Sequence, residues 1–360
     1  MRKSNRWTAV IALLVLIGGV PAWAADAPAA KKKFRVAWAI YVGWMPWGYA
    51  QDKGIIEKWA DKYGIDVEMV QINDYIESIN QYTAGGFDGA LMTNMDALTI
   101  PAAGGVDTTM VIMGDFSNGN DAIVLKGKDG TTLTDIKGRS VHLVELSVSH
   151  YALARALEKV GLSEKDIKTV NTSDADIVAV MGQADVNAAT LWNPQLGQVM
   201  KMKGVHEVFD SSQIPGEIID SLAINTATLK ANPELGKALA GAWFEVLALM
   251  NAGDARATAA KTAMATPSGT DLPGFEAQLK TTRMFYDPKE AYAFATSADL
   301  VKTMELVRTF SFEHGLMGTG AKSVDVIGME FPGGTVLGDP NNIKLRFDPT
   351  YVRLAADGAL

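Results

Sequence analysis

The chain has 360 residues, 33 Lys plus Arg against 41 Asp plus Glu, no cysteine, and 48% hydrophobic residues. This composition is that of a globular protein and excludes a disordered chain, a collagen-like chain and a disulfide scaffold. At about 150 residues per domain, the length predicts two domains.

The first 24 residues have the pattern of an export signal. Three basic residues precede an apolar run over residues 9–20, and the small-x-small sequence Ala22-Trp23-Ala24 follows, as at a signal-peptidase site. The apolar run is too short to span a bilayer as a helix, and without cysteine there is no lipid anchor, so we expect a free periplasmic protein. Removal of the signal leaves 30 basic against 41 acidic residues, which disfavours nucleic acids and anionic membranes as partners.

From residue 34 onward, predicted strands and helices alternate with short connections. Strands are expected where short apolar runs are bounded by turn residues, and helices where apolar residues recur every third or fourth position. The first part of the chain gives strands at 34–40, 66–72, 87–92 and 109–113 and helices at 47–63, 75–84 and 95–103. Such alternation is typical of a parallel sheet flanked by helices.

A turn-rich segment at 115–121 interrupts this pattern, which then restarts. The second part gives strands at 122–125, 140–143, 186–191, 205–209 and 221–225 and a helix at 149–160. Helices are expected again at 234–251, 274–283 and 289–315. The predicted division is a first lobe at 34–123 and 224–318, a second lobe at 124–223 and a C-terminal tail at 319–360, with hinges near 121–125 and 221–225.

The sequence contains no recognisable catalytic constellation. No two of the four histidines stand three to five residues apart, so no metal-binding helix face is predicted. A Gly-x-Ser-x-Gly nucleophile elbow is absent, and without cysteine there is no thiol nucleophile. We therefore expect a binding protein with no metal and no cofactor, and not an enzyme.

In open α/β sheets, ligands bind beyond the carboxyl ends of the strands. Seven segments are expected there: 41–48, 72–75, 93–96, 114–121, 144–149, 192–195 and 211–220. They contain seven acidic residues and no Lys, Arg or His. A pocket for an oxyanion normally supplies a cation, although helix N-termini also hold anions, so the segments favour a ligand that brings positive charge.

Aromatic and acidic residues of these segments are the predicted ligand contacts. A tryptophan face beside a planar cation contributes about 0.5 to 2 kcal/mol, and an acid at a strand end in each lobe would neutralise the cation. The predicted ligand-binding residues are Trp44, Trp47, Asp74, Asn94, Asp115, Glu145 and Trp192. The alternative is that Trp44 or Trp47 belongs to the core and that most of the seven acids cap helices or face water.

Three segments resemble a known family: YVGWMPWGYAQDKGI, GGFDGALMTNMDAL and GQADVNAATLWNPQL. The chain is similar to the periplasmic solute-binding proteins of the nitrate/sulfonate/taurine ABC transporter family, and the first segment resembles the subgroup encoded with urea carboxylases, associated with urea and guanidinium. In the third segment the family commonly has an acid where this chain has Asn193. The resemblance implies a type II periplasmic binding protein, two α/β lobes joined by two crossing segments, that delivers a small molecule to a membrane permease.

The resemblance does not fix the ligand, and the residues of the predicted cleft rank the candidate ligands. Guanidinium is planar, cationic and a donor only, so carboxylates and tryptophan faces complement it and it stands first. Urea or another small amide is second, because a neutral ligand would not compensate the charge of an unpaired buried acid. A family anion such as taurine or nitrate is third, and an enzyme like the pyrimidine-synthesising relatives of the family is the remaining alternative. We expect a monomer.

Overall fold

The computed structural model of the protein describes residues 31–360, so the predicted export signal at 1–24 lies outside the described residues. Two β-sheets organise this part of the chain, one of nine strands and one of five. None of the helices in it is long and apolar enough to cross a membrane.

Fourteen strands form the two sheets. In chain order they are β1 (Lys32–Trp38), β2 (Ile65–Gln71), β3 (Gly89–Thr93), β4 (Thr108–Ser117), β5 (Asp121–Lys126), β6 (Ser140–Leu143), β7 (Lys168–Asn171), β8 (Ala188–Trp192), β9 (Val205–Asp210), β10 (Ile219–Asn225), β11 (Thr282–Met284), β12 (Gly328–Glu330), β13 (Val336–Leu337) and β14 (Ile343–Phe347).

Helices cover the sheets. They are α1 (Met45–Asp52), α2 (Ile55–Lys62), α3 (Tyr75–Thr83), α4 (Asn94–Ala97), α5 (Val148–Lys159), α6 (Ile177–Met181), α7 (Gln195–Val199), α8 (Thr226–Ala231), α9 (Pro233–Met250), α10 (Ala255–Ala265), α11 (Leu272–Leu279), α12 (Pro288–Ala295), α13 (Ala298–Glu313) and α14 (Thr350–Ala356). Short helical turns lie at Leu98–Ala102, Leu133–Ile136, Glu164–Asp166, Ser211–Gln213 and Pro332–Gly334.

Both sheets are mixed rather than purely parallel. The first has the order β13-β12-β14-β4-β10-β3-β1-β2, with β11 paired to β4, and the second has the order β7-β6-β8-β5-β9. In the first sheet β1 is parallel to β2 and β3, as the alternation predicts, while β10 lies antiparallel between β3 and β4. In the second sheet β5 is antiparallel to both neighbours. Both β5 and β10 adjoin the segments by which the chain passes from one sheet to the other.

The two crossings lie a few residues before the segments where hinges are expected. The chain leaves the first sheet after Ser117 and enters the second at Asp121, and it returns between Asp210 and Ile219. The crossings contact each other: Ser117 Oγ lies 2.6 Å from Ser211 Oγ, and the Gly119 N–H donates to Ser211 Oγ at 2.8 Å. The crossing at 118–120 is thereby held at a defined position.

The C-terminal residues 319–360, which the sequence separates as a tail, are part of the first sheet. They supply β12, β13 and β14, and β14 is parallel to β4. Short strands in a Gly- and Pro-rich segment carry little periodic signal, so the pattern along the chain does not reveal them.

Two long predicted helices are each divided. The helix expected at 47–63 is α1 followed by α2, because Gly54 adopts a φ of 68°, a left-handed conformation that glycine takes without steric cost. The helix expected at 289–315 is α12 followed by α13, with the Ser297 side chain accepting the Leu300 N–H at 3.2 Å as the N-cap of the second. The helix α10 was not predicted.

Candidate functional site

A small cavity lies between the two sheets, where the sequence places a cleft. Its lining residues come from both lobes and from both crossings: Ala39, Ile40, Tyr41, Trp44, Tyr75, Thr93, Asn120, Asp121, Val148, Trp192, Ile218 and Asp220. The space open to the centre of a water molecule is about 20 Å³, little more than one water requires. The cavity has room for a very small ligand, and the two lobes contact each other beside it through Tyr75, Trp192 and Asp174; this arrangement is called the closed form below.

The ends of the secondary-structure elements place these side chains. Tyr41 follows β1, Thr93 ends β3 and Trp192 ends β8, so three strands point their carboxyl ends at the cavity. Asp121 begins β5, where it pairs in register with Trp192 of β8. Asp220 lies on β10, which pairs with both β3 and β4.

One pair of carboxyl groups bounds the cavity on the side of the first sheet. Asp220 of β10 is the register partner of Asp115 of β4, and the two side chains are hydrogen-bonded. The Tyr41 hydroxyl donates to Asp115 Oδ1 at 2.7 Å. Two carboxyl groups in hydrogen-bond contact must share a proton. Burial raises the pKa of Asp115 to about 7, and burial together with the charge of Asp115 raises that of Asp220 well above its usual range.

Gly43 allows this approach. A Cβ atom at that position would lie 2.5 Å from the Tyr41 ring and 2.6 Å from Asp115 Oδ2. Both distances are far below van der Waals contact, so a larger residue would displace Tyr41 from the carboxyl group. The glycine in the YVGW segment thus serves the site directly.

A third acid, Asp96, lies behind the part of the wall that Tyr75 and Thr93 form. Asp96 Oδ2 accepts hydrogen bonds from the Tyr75 hydroxyl at 2.6 Å and from Thr93 Oγ1 at 2.8 Å, and the carboxylate also accepts one from the Val148 backbone N–H. Asp96 is fully buried, and burial raises its pKa to about 6. Tyr75 and Thr93 line the cavity, and Asp96 lies directly behind them and is hydrogen-bonded to both.

Asp121 is the acid that the second sheet contributes. It is 4% exposed, and burial raises its pKa to about 6, partly offset by a hydrogen bond from Ser117. Asp96, Asp115, Asp121 and Asp220 thus form a buried acidic cluster. No Lys, Arg or His of residues 31–360 forms an ion pair with any of the four, and none lines the cavity. An unpaired buried carboxylate is unfavourable, so the cluster favours a positively charged occupant.

Aromatic rings form the remaining walls. Trp44 lies 5.1 Å from Tyr41 and 5.6 Å from Tyr75, ring centre to ring centre. Tyr75 also meets Trp192 of the second sheet edge-on at 5.7 Å. The Tyr75 N–H donates to Asp174 Oδ1 at 3.3 Å, a second link between the lobes. These contacts join the two sides of the cavity in the closed form.

Of the residues predicted to bind ligand, Trp44 and Trp192 line the cavity and Asp115 lies directly behind it. Asn94 is buried behind the wall, where its Oδ1 accepts the Ile219 N–H at 3.0 Å and its Nδ2 donates to the Glu217 carbonyl at 3.1 Å. It therefore positions the second crossing rather than facing the cavity.

The other three lie elsewhere. Trp47 is in the core, stacked on Trp243 with ring centres 4.8 Å apart. Asp74 is the N-cap of α3 and accepts the Glu77 N–H at 2.9 Å. Glu145 is half-buried outside the lining. Each of these residues belongs to a segment near the cleft, but none of the three lines the cavity.

Glu145→Gln is expected to change ligand affinity by less than about twofold, because a substitution away from the site costs little. Isothermal titration with guanidinium chloride against the unsubstituted protein measures this. A loss of tenfold or more would show that Glu145 reaches the ligand.

The polar and tyrosine side chains of the cavity that sequence reasoning did not select are Tyr41, Tyr75, Thr93, Asn120, Asp121 and Asp220. All six lie within the segments expected at the cleft, and Asp121 and Asp220 are among the seven acids counted there. The sequence therefore predicted which segments form the cavity, but not which of their side chains line it. Strand register and side-chain direction, which decide among neighbours, are not visible in one sequence.

The histidines take no part in the cavity. His150 and His314 both hydrogen-bond Glu164, with His314 Nε2 lying 2.7 Å from Glu164 Oε2. These two contacts lower the pKa of Glu164 to about 2, and the contact with Glu164 raises the pKa of His314. Within residues 31–360, no group of three or more His, Asp or Glu side chains is arranged to hold a metal ion.

Residues 42–249 match the family described as NMT1/THI5 like. The chain is a member of the NMT1/THI5-like family. The aliphatic sulfonate-binding protein of Escherichia coli K12 is 32% identical to this chain over 83 residues. The match covers 23% of this chain and 26% of that protein. The taurine-binding periplasmic protein of the same organism is 24% identical over 146 residues, 40% of this chain and 45% of that protein. Each match spans less than half of the relative's own length.

Solved structures show the fold of this NMT1/THI5-like protein. The alkanesulfonate-binding protein SsuA of Xanthomonas axonopodis pv. citri, bound to MOPS, superposes with a TM-score of 0.68. It is 17% identical, and the superposition covers 81% of this chain and 96% of that one. The expected periplasmic binding protein fold, two α/β lobes with a ligand cleft between them, is confirmed.

Proposed function

We propose that this chain is the periplasmic solute-binding component of an ABC importer and that its ligand is a small planar nitrogenous cation, guanidinium in the first place. The fold and the names of the sequence relatives support a binding role rather than an enzymatic one. Delivery to a membrane permease, export to the periplasm and a monomeric state belong to the same proposal.

The observation that carries the choice of ligand is the acidic cluster at the cavity. Asp121 and Asp220 line it from opposite lobes, with Asp115 and Asp96 in the next layer. Because no cation among the described residues pairs with them, the ligand is the natural source of positive charge. A guanidinium ion offers planar N–H donors on three sides, which carboxylates accept with charge-assisted hydrogen bonds.

The aromatic walls support the same choice. Trp44 and Trp192 lie on the two sides of a space that admits only a very small molecule. A planar cation between or beside such rings gains about 0.5 to 2 kcal/mol from each favourable face, more where water is excluded. A larger ligand would require the lobes to remain further apart than in this closed form.

An anion is the second candidate, because the relatives named above bind sulfonates and taurine. The acidic cluster opposes a fully anionic ligand, since like charges in a low-dielectric site repel strongly. Urea, a neutral amide, is the third candidate, and it would find carboxyl groups that retain their protons.

We further propose that the lobes close over the ligand by rotation about residues 118–120 and 211–218. These two crossings connect the sheets and are tied to each other through Ser117 and Ser211. Residues on both sides of the crossings line the cavity, so ligand contacts to both lobes favour the closed form.

The pH dependence of binding separates the three ligand classes. Because burial raises the pKa of Asp121 to about 6 in the empty site, the carboxyl group becomes protonated as the pH falls through that value. A cation binds to the ionised form, so we expect the Kd for guanidinium to be roughly tenfold higher at pH 5 than at pH 8.

Isothermal titration at pH 5, 6, 7 and 8 and constant ionic strength makes this measurement. Urea and taurine are titrated in parallel. Affinity for guanidinium that does not change with pH, or binding of taurine that strengthens as the pH falls while guanidinium fails to bind, would overturn the proposed ligand.

A further inference from the structure

A cluster of two histidines and one glutamate joins the two lobes outside the cavity. His150 lies on α5 and Glu164 in the short helical turn that follows it, and both elements connect β6 to β7 of the second sheet. His314 is the C-cap of α13, which packs on α4 of the first lobe. The Glu164 carboxylate contacts both rings, so it meets one histidine of its own lobe and one of the other lobe.

The hydrogen-bond partners assign a charge to each histidine. His150 Nδ1 accepts the Leu146 N–H at 3.1 Å, so it carries no proton, and His150 Nε2 donates to Glu164 Oε1. His314 Nδ1 lies 2.9 Å from the Phe310 carbonyl oxygen, and its Nε2 lies 2.7 Å from Glu164 Oε2. Since carbonyl and carboxylate oxygens only accept, both nitrogens of His314 donate and the ring is a cation. In agreement, the hydrogen bond to Glu164 raises the pKa of His314.

The ion pair between His314 and Glu164 therefore crosses from one lobe to the other. The two side chains are 26% and 29% exposed, so water screens the pair only in part. Aromatic rings pack beside it: His314 stacks on Phe310 with ring centres 4.0 Å apart, and Tyr151 of α5 meets Phe310 edge-on at 5.0 Å. Because these contacts join the lobes, they contribute to the closed form and change if the lobes rotate apart.

Resting on the proposed function and its closure by lobe rotation, we propose that His314 and Glu164 form a latch that stabilises the closed form and so sets the affinity for the ligand without contacting it. His150 is a positioning residue that orients Glu164. The first turn of α5 also carries Val148, which lines the cavity, so one helix bears both a wall of the site and a part of the latch. The apparent Kd rises as the binding-competent form becomes less populated, so a weaker latch gives a higher Kd.

A matched pair of Glu→Gln substitutions tests the latch. Glu164→Gln keeps the size of the side chain and removes the charge that faces His314 from the other lobe. Glu313→Gln removes the exposed charge that faces His314 from its own helix. Titration calorimetry with guanidinium chloride at pH 6.5 is expected to give a Kd about fivefold to tenfold higher for Glu164→Gln and less than about twofold higher for Glu313→Gln. An unchanged Kd in Glu164→Gln, or equal losses in both variants, would overturn the latch.

A second substitution separates the latch from a role of Glu164 within its own lobe. His314→Leu is expected to raise the Kd by the same factor, about fivefold to tenfold, and the double variant no further, because the two residues act as one pair. Losses that multiply to about 25-fold or more in the double variant would show two independent effects and contradict the latch.

The binding rates give a readout that a general loss of stability would not. Stopped-flow tryptophan fluorescence is expected to show faster dissociation in Glu164→Gln and an association rate constant within about twofold of the unsubstituted protein. Slower association with unchanged dissociation would contradict the latch. Thermal unfolding checks that each variant is folded, and Glu164→Gln against Glu313→Gln decides if His314→Leu is not.

Failure of the latch and failure of the proposed ligand give different results. The latch lies outside the cavity, so the same Kd ratios are expected with urea or taurine if one of them binds in place of guanidinium. Binding of any of the three with unchanged Kd in Glu164→Gln overturns the latch alone. Binding of taurine but not guanidinium, with the higher Kd in Glu164→Gln retained, overturns the proposed ligand alone. If none of the three binds, the proposed function falls, and the latch falls with it.

Discussion

Asp121→Asn is expected to weaken guanidinium binding by about 2 to 3 kcal/mol, roughly 30- to 150-fold in Kd. Asp121 lines the cavity from the second lobe, and its carboxylate is the acceptor that this sheet supplies. The amide has the same shape but carries no charge and can accept at only one atom. The substitution therefore removes a charge-assisted hydrogen bond and the Coulombic attraction without opening a void.

A matched control separates the loss of charge at the cavity from the loss of any buried acid. Asp174 is 5% exposed, and burial raises its pKa to about 6, but it lies outside the cavity lining. Its Oδ1 accepts the Tyr75 N–H, a role that an asparagine oxygen retains. Asp174→Asn is therefore expected to change the Kd by less than about threefold. Titration calorimetry of both variants with guanidinium at pH 7.5 makes the comparison, and equal losses would show that Asp121 does not contact the ligand.

Trp47→Ala is expected to destabilise the protein by about 3 to 5 kcal/mol, because removal of a fully buried aromatic side chain leaves a cavity that its surroundings fill only in part. Trp47 is 2% exposed and stacks on Trp243 with an angle of 19° between the ring planes. On β4, Gly114 makes room for the Trp243 ring, since a Cβ there would lie 2.8 Å from it. The stacked pair thus holds α1 against α9 and the first sheet.

Calorimetric thermal unfolding at pH 7 measures the change, with Trp47→Phe as the matched control. The smaller ring retains part of the stacking, so Trp47→Phe is expected to lose clearly less stability than Trp47→Ala. Its Kd for guanidinium should stay within about twofold of the unsubstituted protein, since Trp47 is outside the lining. A loss of affinity in Trp47→Phe without a loss of stability would show that Trp47 contacts the ligand.

The four acids of the cluster do not all carry a negative charge in the empty site. Four carboxyl groups packed near one another without a cation do not all ionise near neutral pH, and Asp115 and Asp220 share a proton. The site therefore holds less negative charge than its formal count.

Much of the site was predictable at the level of segments. The strand-and-helix alternation indicates the carboxyl ends of strands, and the acids and tryptophans collected there include Asp115, Asp121, Asp220, Trp44 and Trp192. Selection within a segment was less successful, because successive residues of a strand point to opposite faces and a shift of one position reverses the assignment. On helices the spacing is also insufficient: Trp44 is the N-cap of α1 and Trp47 lies in its first turn, yet Trp44 lines the cavity and Trp47 packs in the core.

The amino-acid sequence by itself determined the two-lobed α/β architecture, the acidic and aromatic character of the cleft segments and the lack of a cation within them. These properties depend on local periodicity and composition, which one chain displays directly. Only the tertiary structure decided that Asp115 meets Asp220, that Trp47 stacks on Trp243 and that residues 328–347 join the first sheet. The physical reason is that these contacts join residues far apart in the chain, and strand pairing and packing bring them together.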